Sequence, residues 1–212
     1  MFLCYRRLVL VFSSSFMIKY IAQTIEAHGV SVEETRYEPE YPELYSQKIA
    51  CFTGHRKIPD ITKQINIAID LALDMGINHF FVGMALGSDQ LAAKVLMSRN
   101  LPWTAIIPCA NQSELWSLQH RTYCDRLLRY AENQVILRPK YTADCMHIRN
   151  RYMIDHSDLC IAIYDGRFTG GAFKTYCMAV KKFMPVIKVH PQTKEVSIYQ
   201  PPKPNHTQFS LF

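Results

Sequence analysis

Several common functional signatures are missing from this chain. No two of its seven cysteines stand in the C-x-x-C spacing of a zinc or thiol redox pair, and their number is odd. Most of Cys4, Cys51, Cys109, Cys124, Cys145, Cys160 and Cys177 therefore read as reduced core residues of a cytoplasmic protein, with Cys51 and Cys160 inside strand-like runs where a free thiol behaves as a small hydrophobe. No histidine pair on a helix face comes with an acidic third partner, so no metal is expected. No run approaches the roughly 18 to 20 apolar residues of a membrane span. The apolar stretch from Leu8 to Phe12, although it follows Arg6 and Arg7, is too short for a signal peptide. A net charge of +6 and a pI near 8.9, without a clustered Lys/Arg stripe, suit a small anionic ligand and argue against a nucleic-acid partner.

What is present is one domain's worth of ordinary globular composition: 212 residues, 49% hydrophobic and 20% charged. Residues 1–47 read as an appendage, with a helix over Phe16 to Ala27 and then an acidic linker. Residues 48–190 alternate strand-like and helix-like patterns. Strands are predicted at Ile49 to Thr53, His79 to Val82, Trp103 to Ile107, Gln134 to Leu137, Leu159 to Tyr164 and Pro185 to Val189. Helices are predicted over Ile61 to Met75, capped by Asp60 and closed by Gly76, and over Asp89 to Arg99, Gln112 to Tyr130, Met146 to His156 and Gly171 to Phe183. The fold class is α/β, a Rossmann-like three-layer sandwich on a mainly parallel sheet of about six strands. Residues 191–212, rich in proline, read as an irregular tail.

Three glycine-bearing clusters, Cys51 to Arg56, Met84 to Gln90 and Tyr164 to Gly171, each follow a strand and precede a helix. That phase places all three on the carboxyl rim of the sheet, where open α/β sheets hold ligands and helix amino termini offer free N–H groups to anions. After Thr53, Gly54 allows close backbone approach, Arg56 can fork onto a phosphate, and His55 can stack on a ligand or donate to it. Gly87 and Ser88 are positioned to receive an anion. Asp89 fits either as acceptor of a ribose diol or as a first-turn charge on the helix dipole. Neither G-x-G-x-x-G nor a Walker A loop is present. Arg149 and Arg151, two apart on one helix, diverge, so at most one faces the rim. Gly170 and Gly171, following Asp165 and Gly166, again present backbone N–H groups at a helix start. The aromatic residues read as core, with no basic and aromatic groove for a single strand.

Together the stretches CFTGHRK, VGMALGSDQ, RNRYMID and YDGRFTGG resemble the SLOG superfamily, specifically its YpsA-like branch, over about Ile49 to Val189. The resemblance implies a Rossmann-like nucleotide-binding domain, often a homo-oligomer, that takes NAD, ADP-ribose or other nucleotide derivatives as ligands, with no cofactor required. It adds Asn150, beside Arg149, and Asp165 to the ligand-binding set. The related LOG (lonely guy) phosphoribohydrolases cleave N-glycosidic bonds with an Arg before a PGG-x-GT-x-x-E motif. Arg149 and Gly170-Gly171 stand in the corresponding places here, but no carboxylate follows where that family's Glu would fall, and such chemistry needs one.

Three functions are therefore weighed. The first is a sensor or regulator that binds a nucleotide derivative. An alternative is a nucleotide N-glycosidic-bond hydrolase with Asp89 and Arg149 as candidate catalytic residues. The last is a DNA-associated protein like the related DprA. The first requires that Arg56, Ser88 and Gly171 meet on one lip.

Overall fold

The computed structural model describes residues 9–10 and 47–202. The helix expected over residues 16–27 and the acidic segment after it lie outside the described residues.

Strands β1 (Val9–Leu10), β2 (Ile49–Gly54), β3 (His79–Val82), β4 (Trp103–Ile107), β5 (Asn133–Ile136), β6 (Leu159–Ile163), β7 (Val186–Val189) and β8 (Val196–Tyr199) join in one sheet, in the order β1-β5-β4-β3-β2-β6-β7-β8. β1 adds only two residues to the β5 edge. Every pairing is parallel except β7 with β8. The helices are α1 (Thr62–Asp74), α2 (Ser88–Ser98), α3 (Leu118–Leu128), α4 (Cys145–Asp155) and α5 (Gly170–Lys181).

Buried on both faces, the central strands are continuous apolar runs, as a parallel sheet covered by helices requires. Alternate residues face opposite layers. Ala50, Phe52, Phe80 and Val82 pack with α1 and α2, whereas Cys51, Phe81, Cys160 and Ala162 pack with α4 and α5. Ile65, Ala68, Ile69 and Ala72 recur at helical spacing and give α1 its buried stripe. Each isoleucine so buried contributes about 1.5–3 kcal/mol relative to exposure.

The order of the strands creates the place for a site. From β2 the chain moves outward through β3, β4 and β5 on one side, then returns through α4, on the opposite face, to lay β6 against the other side of β2. The carboxyl ends of β2 and β6 therefore flank the switch in direction, the position at which such sheets open a crevice.

Three expectations are corrected. The sheet does not end at β7: Val196–Tyr199 pairs antiparallel with it in place of an irregular tail. The turn at residues 190–195 permits this, with His190 N–H donating to the Glu195 carbonyl at 2.8 Å and a left-handed Lys194 at φ 62°. α3 starts at Leu118 and not at Gln112, because residues 110–116 fold as turns and Ser117 caps the helix by accepting from the His120 N–H at 3.3 Å. Ile61, and not Asp60, holds the cap position of α1, while Asp60 accepts from the Thr62 N–H and hydroxyl at 3.0 and 2.7 Å. Gly76 closes α1 as expected, at φ 84°. No helix among the described residues is long and apolar enough to cross a membrane.

Candidate functional site

A cleft of about 270 Å³ opens at the β2/β6 crevice. Phe52, Thr53, Gly54, His55 and Arg56 bring the end of β2 to it, Met146, Arg149 and Asn150 come from α4, and Gly171 and Ala172 from the start of α5. Ala85 and Asp89 complete the wall. Eight of the residues expected at the rim thus line one cavity, although residues 53 and 171 are far apart in the chain.

Its floor is a buried ion pair. Arg149 Nη1 lies 3.2 Å from Asp89 Oδ2, and both side chains are less than a tenth exposed. Burial disfavours both charges, raising the Asp89 carboxyl and lowering the Arg149 guanidinium from their usual values, and their mutual attraction opposes this. Asp89 Oδ2 also accepts from the Ala85 N–H at 3.1 Å. Arg149 Nε is buried and has no hydrogen-bond partner among the described residues. Arg151, the divergent arginine, is exposed.

The loop from β3 to α2 is shaped around this pair. Met84, buried, holds a left-handed φ of 58°, a conformation that costs a non-glycine residue roughly 1–3 kcal/mol. Its carbonyl is held by the Gln112 side-chain N–H at 2.8 Å. Gly83, just before it, was not singled out from the sequence. A β-carbon there would overlap the Arg149 guanidinium. The run V-G-M-A-L-G carried a second glycine, and that was the available signal.

Ser88 and Gly87 have a different task from the one expected. The Ser88 hydroxyl and N–H both donate to the His55 carbonyl, at 2.8 and 3.1 Å, and the side chain is buried. Gly87, at φ 83°, lies under the backbone of Arg56, where a β-carbon would come within 2.5 Å of the Arg56 carbonyl carbon. Gly54 similarly meets Ser88 and the Ile163 side chain. These residues weld the first loop to the second and leave none of the Ser88 donors for an anion. Asp165 also stands behind the cleft: Oδ1 is 3.0 Å from His55 Nε2, and Oδ2 accepts from Arg167 Nε at 2.6 Å. Partial burial raises its pKa, but the bonds from Arg167 and the proximity of His55 more than offset that, leaving the carboxyl below its usual value.

Two positive features face outward. Arg56 is exposed and makes no hydrogen bond or ion pair with any described residue. The amino terminus of α5 has no acidic residue in its first turn, and β-carbons built on Gly170 or Gly171 would meet nothing within 4 Å. Gly170 has a backbone reason to be glycine, its φ of 90°, whereas Gly171 has no steric one within the chain. Asn150 donates to Thr175 Oγ1 at 2.7 Å and so ties α4 to α5. The aromatic residues are not all core either: Phe168, in the loop before α5, is 83% exposed. Among the described residues no group of three or more His, Cys, Asp or Glu side chains could hold a metal.

The uncharacterized SPbeta prophage-derived protein YoqJ of Bacillus subtilis is 30% identical over 109 residues, covering 43% of this chain and 64% of that protein. DNA processing protein A (DprA) of Streptococcus pneumoniae superposes with a TM-score of 0.55 at 17% identity, over 69% of this chain and 52% of its own. DNA processing protein A of Helicobacter pylori, described for its single-stranded DNA binding mode, gives 0.51 at 21% identity over 73% of this chain and 70% of its own. The chain thus spans less than two thirds of the prophage protein and about half of the pneumococcal one. The expectation against a nucleic-acid partner is contradicted here, because two proteins that share this fold are DNA processing proteins and one of them is described for its single-stranded DNA binding mode. The absence of a linear Lys/Arg cluster does not by itself exclude such a partner, since folding can bring together basic residues that are apart in sequence. The YpsA family model, described as the YspA SLOG family, matches residues 45–189, more than half of the chain, and the protein belongs to that family.

Proposed function

We propose that the cleft binds the phosphate of a nucleotide derivative of adenylate, NAD or ADP-ribose type, and that the protein acts as a sensor or regulator. The observation that carries this is the buried Arg149 with an unpartnered Nε, lining the same cavity as the exposed guanidinium-bearing Arg56. A buried donor without an acceptor costs about 1–3 kcal/mol, which a bound phosphate oxygen recovers. The acid-free amino terminus of α5 adds its dipole to the same lip. Calorimetric titration with ADP-ribose, NAD and AMP tests the reading. Arg56→Ala, an exposed change that leaves the core intact, should weaken the bound ligand by about tenfold or more, the worth of a charged hydrogen bond. Failure of the wild-type protein to bind all three would overturn it.

A second reading is supported by the DNA processing neighbours: the nucleotide belongs to a single strand. Fluorescence anisotropy of oligothymidylate over a range of salt concentrations separates the two. A strand held through its phosphates gives a log–log slope of about −0.7 per phosphate contact, and a flat slope rules the reading out. Hydrolysis of an N-glycosidic bond has less support. Asp89, the carboxylate lining the cleft, already neutralises Arg149.

A further inference from the structure

The loop between β6 and α5 presents Phe168 to water with 83% of its surface exposed, so that most of this apolar ring is left unburied in the free chain. We propose that Phe168 is the stacking face for the nucleobase of the ligand whose phosphate enters the cleft; this rests on the reading of the cleft given above.

A series of rings connects Phe168 to the cavity wall. His55 lines the cleft; its ring centroid is 6.1 Å from that of Tyr164, Tyr164 stacks on Phe173 at 6.2 Å, and Phe168 meets Phe173 at 5.8 Å with an interplanar angle of 83°. A T-shaped contact occupies at most one of the two faces of Phe168, so the other is available to a planar partner. The loop is also held in place. The Tyr164 hydroxyl donates to the Arg167 carbonyl at 2.6 Å, the Arg167 N–H donates to Asp165 Oδ1 at 3.2 Å, and the Arg167 guanidinium closes on Asp165 Oδ2. Phe168 is thereby presented from a braced position, which lowers the ordering cost of binding.

The size of the cleft agrees. At about 270 Å³ it falls just below the roughly 300–1,000 Å³ of pockets that enclose a whole small ligand. A phosphate and sugar fill it, which leaves the base outside the cleft and free to reach the exposed ring of Phe168. Stacking tolerates any base and is indifferent to whether the nucleotide is free or part of a strand.

The test titrates wild-type protein, Phe168→Ala and Phe168→Tyr with AMP, with ribose 5-phosphate, which lacks the base, and with oligothymidylate of about ten nucleotides. Phe168→Ala should weaken the base-bearing ligand by about tenfold or more, leave ribose 5-phosphate within about twofold, and be rescued by Phe168→Tyr. A loss confined to AMP assigns the base to a free nucleotide, and a loss confined to oligothymidylate assigns it to a strand. If Phe168→Ala binds the base-bearing ligand as tightly as wild type, or weakens ribose 5-phosphate equally, stacking is refuted while the cleft reading survives. If wild-type protein binds none of the three, both fall together.

Discussion

The guanidinium of Arg149 occupies the space over Gly83 that any side chain on that residue would need, and a β-carbon there would also approach Asp89 Oδ2 to 2.9 Å. The absence of one side chain after β3 is therefore what lets a cation from α4 reach the acid of α2. Gly83→Ala should expel Arg149 from its seat and leave Asp89 buried without its counter-charge, destabilising the fold by about 3–5 kcal/mol. Urea unfolding measures the loss. Nucleotide affinity should fall with it, and an alanine variant of full stability and affinity would contradict the arrangement.

The Arg149–Asp89 pair sets how the site can be probed. Asp89→Asn leaves the arginine buried without its counter-charge, and Arg149→Ala leaves the acid likewise, so each should cost about 3–5 kcal/mol. The double change should cost clearly less than the sum of the two, giving a coupling measurable in a double-mutant cycle by chemical denaturation. Additive losses would mean that the two groups do not share one buried contact.

His79 supplies a pH dependence. It begins β3, is 3% exposed, contacts Thr104 Oγ1 through Nε2 at 2.8 Å, and has Glu132 3.6 Å from Nδ1, beyond hydrogen-bonding distance. Burial lowers its pKa below the ordinary 6.5, with Glu132 only partly opposing this. Between the folded value and 6.5 the unfolded chain holds more proton than the folded one. The contribution is therefore complete above about pH 6.5 and is lost as pH falls through the window beneath it, by up to about 1.4 kcal/mol per pH unit. His79→Gln should flatten the wild-type decline in urea midpoint between about pH 7.5 and pH 5.5. Parallel profiles for the two proteins would remove His79 as the cause.

β8 protects an edge. Val186–Val189 would otherwise present unpaired backbone groups beside the apolar Ile187, which pairs with Ile198. Truncation after His190 should lower the thermal midpoint and produce concentration-dependent association visible by light scattering. A monomeric truncate of unchanged stability would show that β8 is dispensable.

Local pattern reached far into this molecule because its signals are local. Runs such as Ile49–Phe52 and Leu159–Ile163 are apolar throughout, as strands buried on both faces tend to be, and α1 shows its stripe and its closing Gly76 without reference to the rest of the chain. The rim residues Thr53, His55, Arg56 and Gly171 followed from the same phase of strand, glycine and helix, and Arg149 from the resemblance of its motif. Less legible were features that depend on a distant partner. The strand Val196–Tyr199 forms because β7 offers an open edge, which proline content cannot reveal. Ser88 looked like an anion donor until the His55 carbonyl was seen to take both of its hydrogens.

By itself the sequence determined the alternation of strands and helices and the rim on which the glycine corners fall, since each depends on periodicity and turn chemistry within a few residues. Only the tertiary structure decided which of those corners make a cleft and which brace it, that Gly83 makes room for Arg149, and that Phe168 stands in water. Those outcomes arise where segments about 30 residues or more apart compete for the same few ångströms, and excluded volume and charge pairing across that distance have no signature in local pattern.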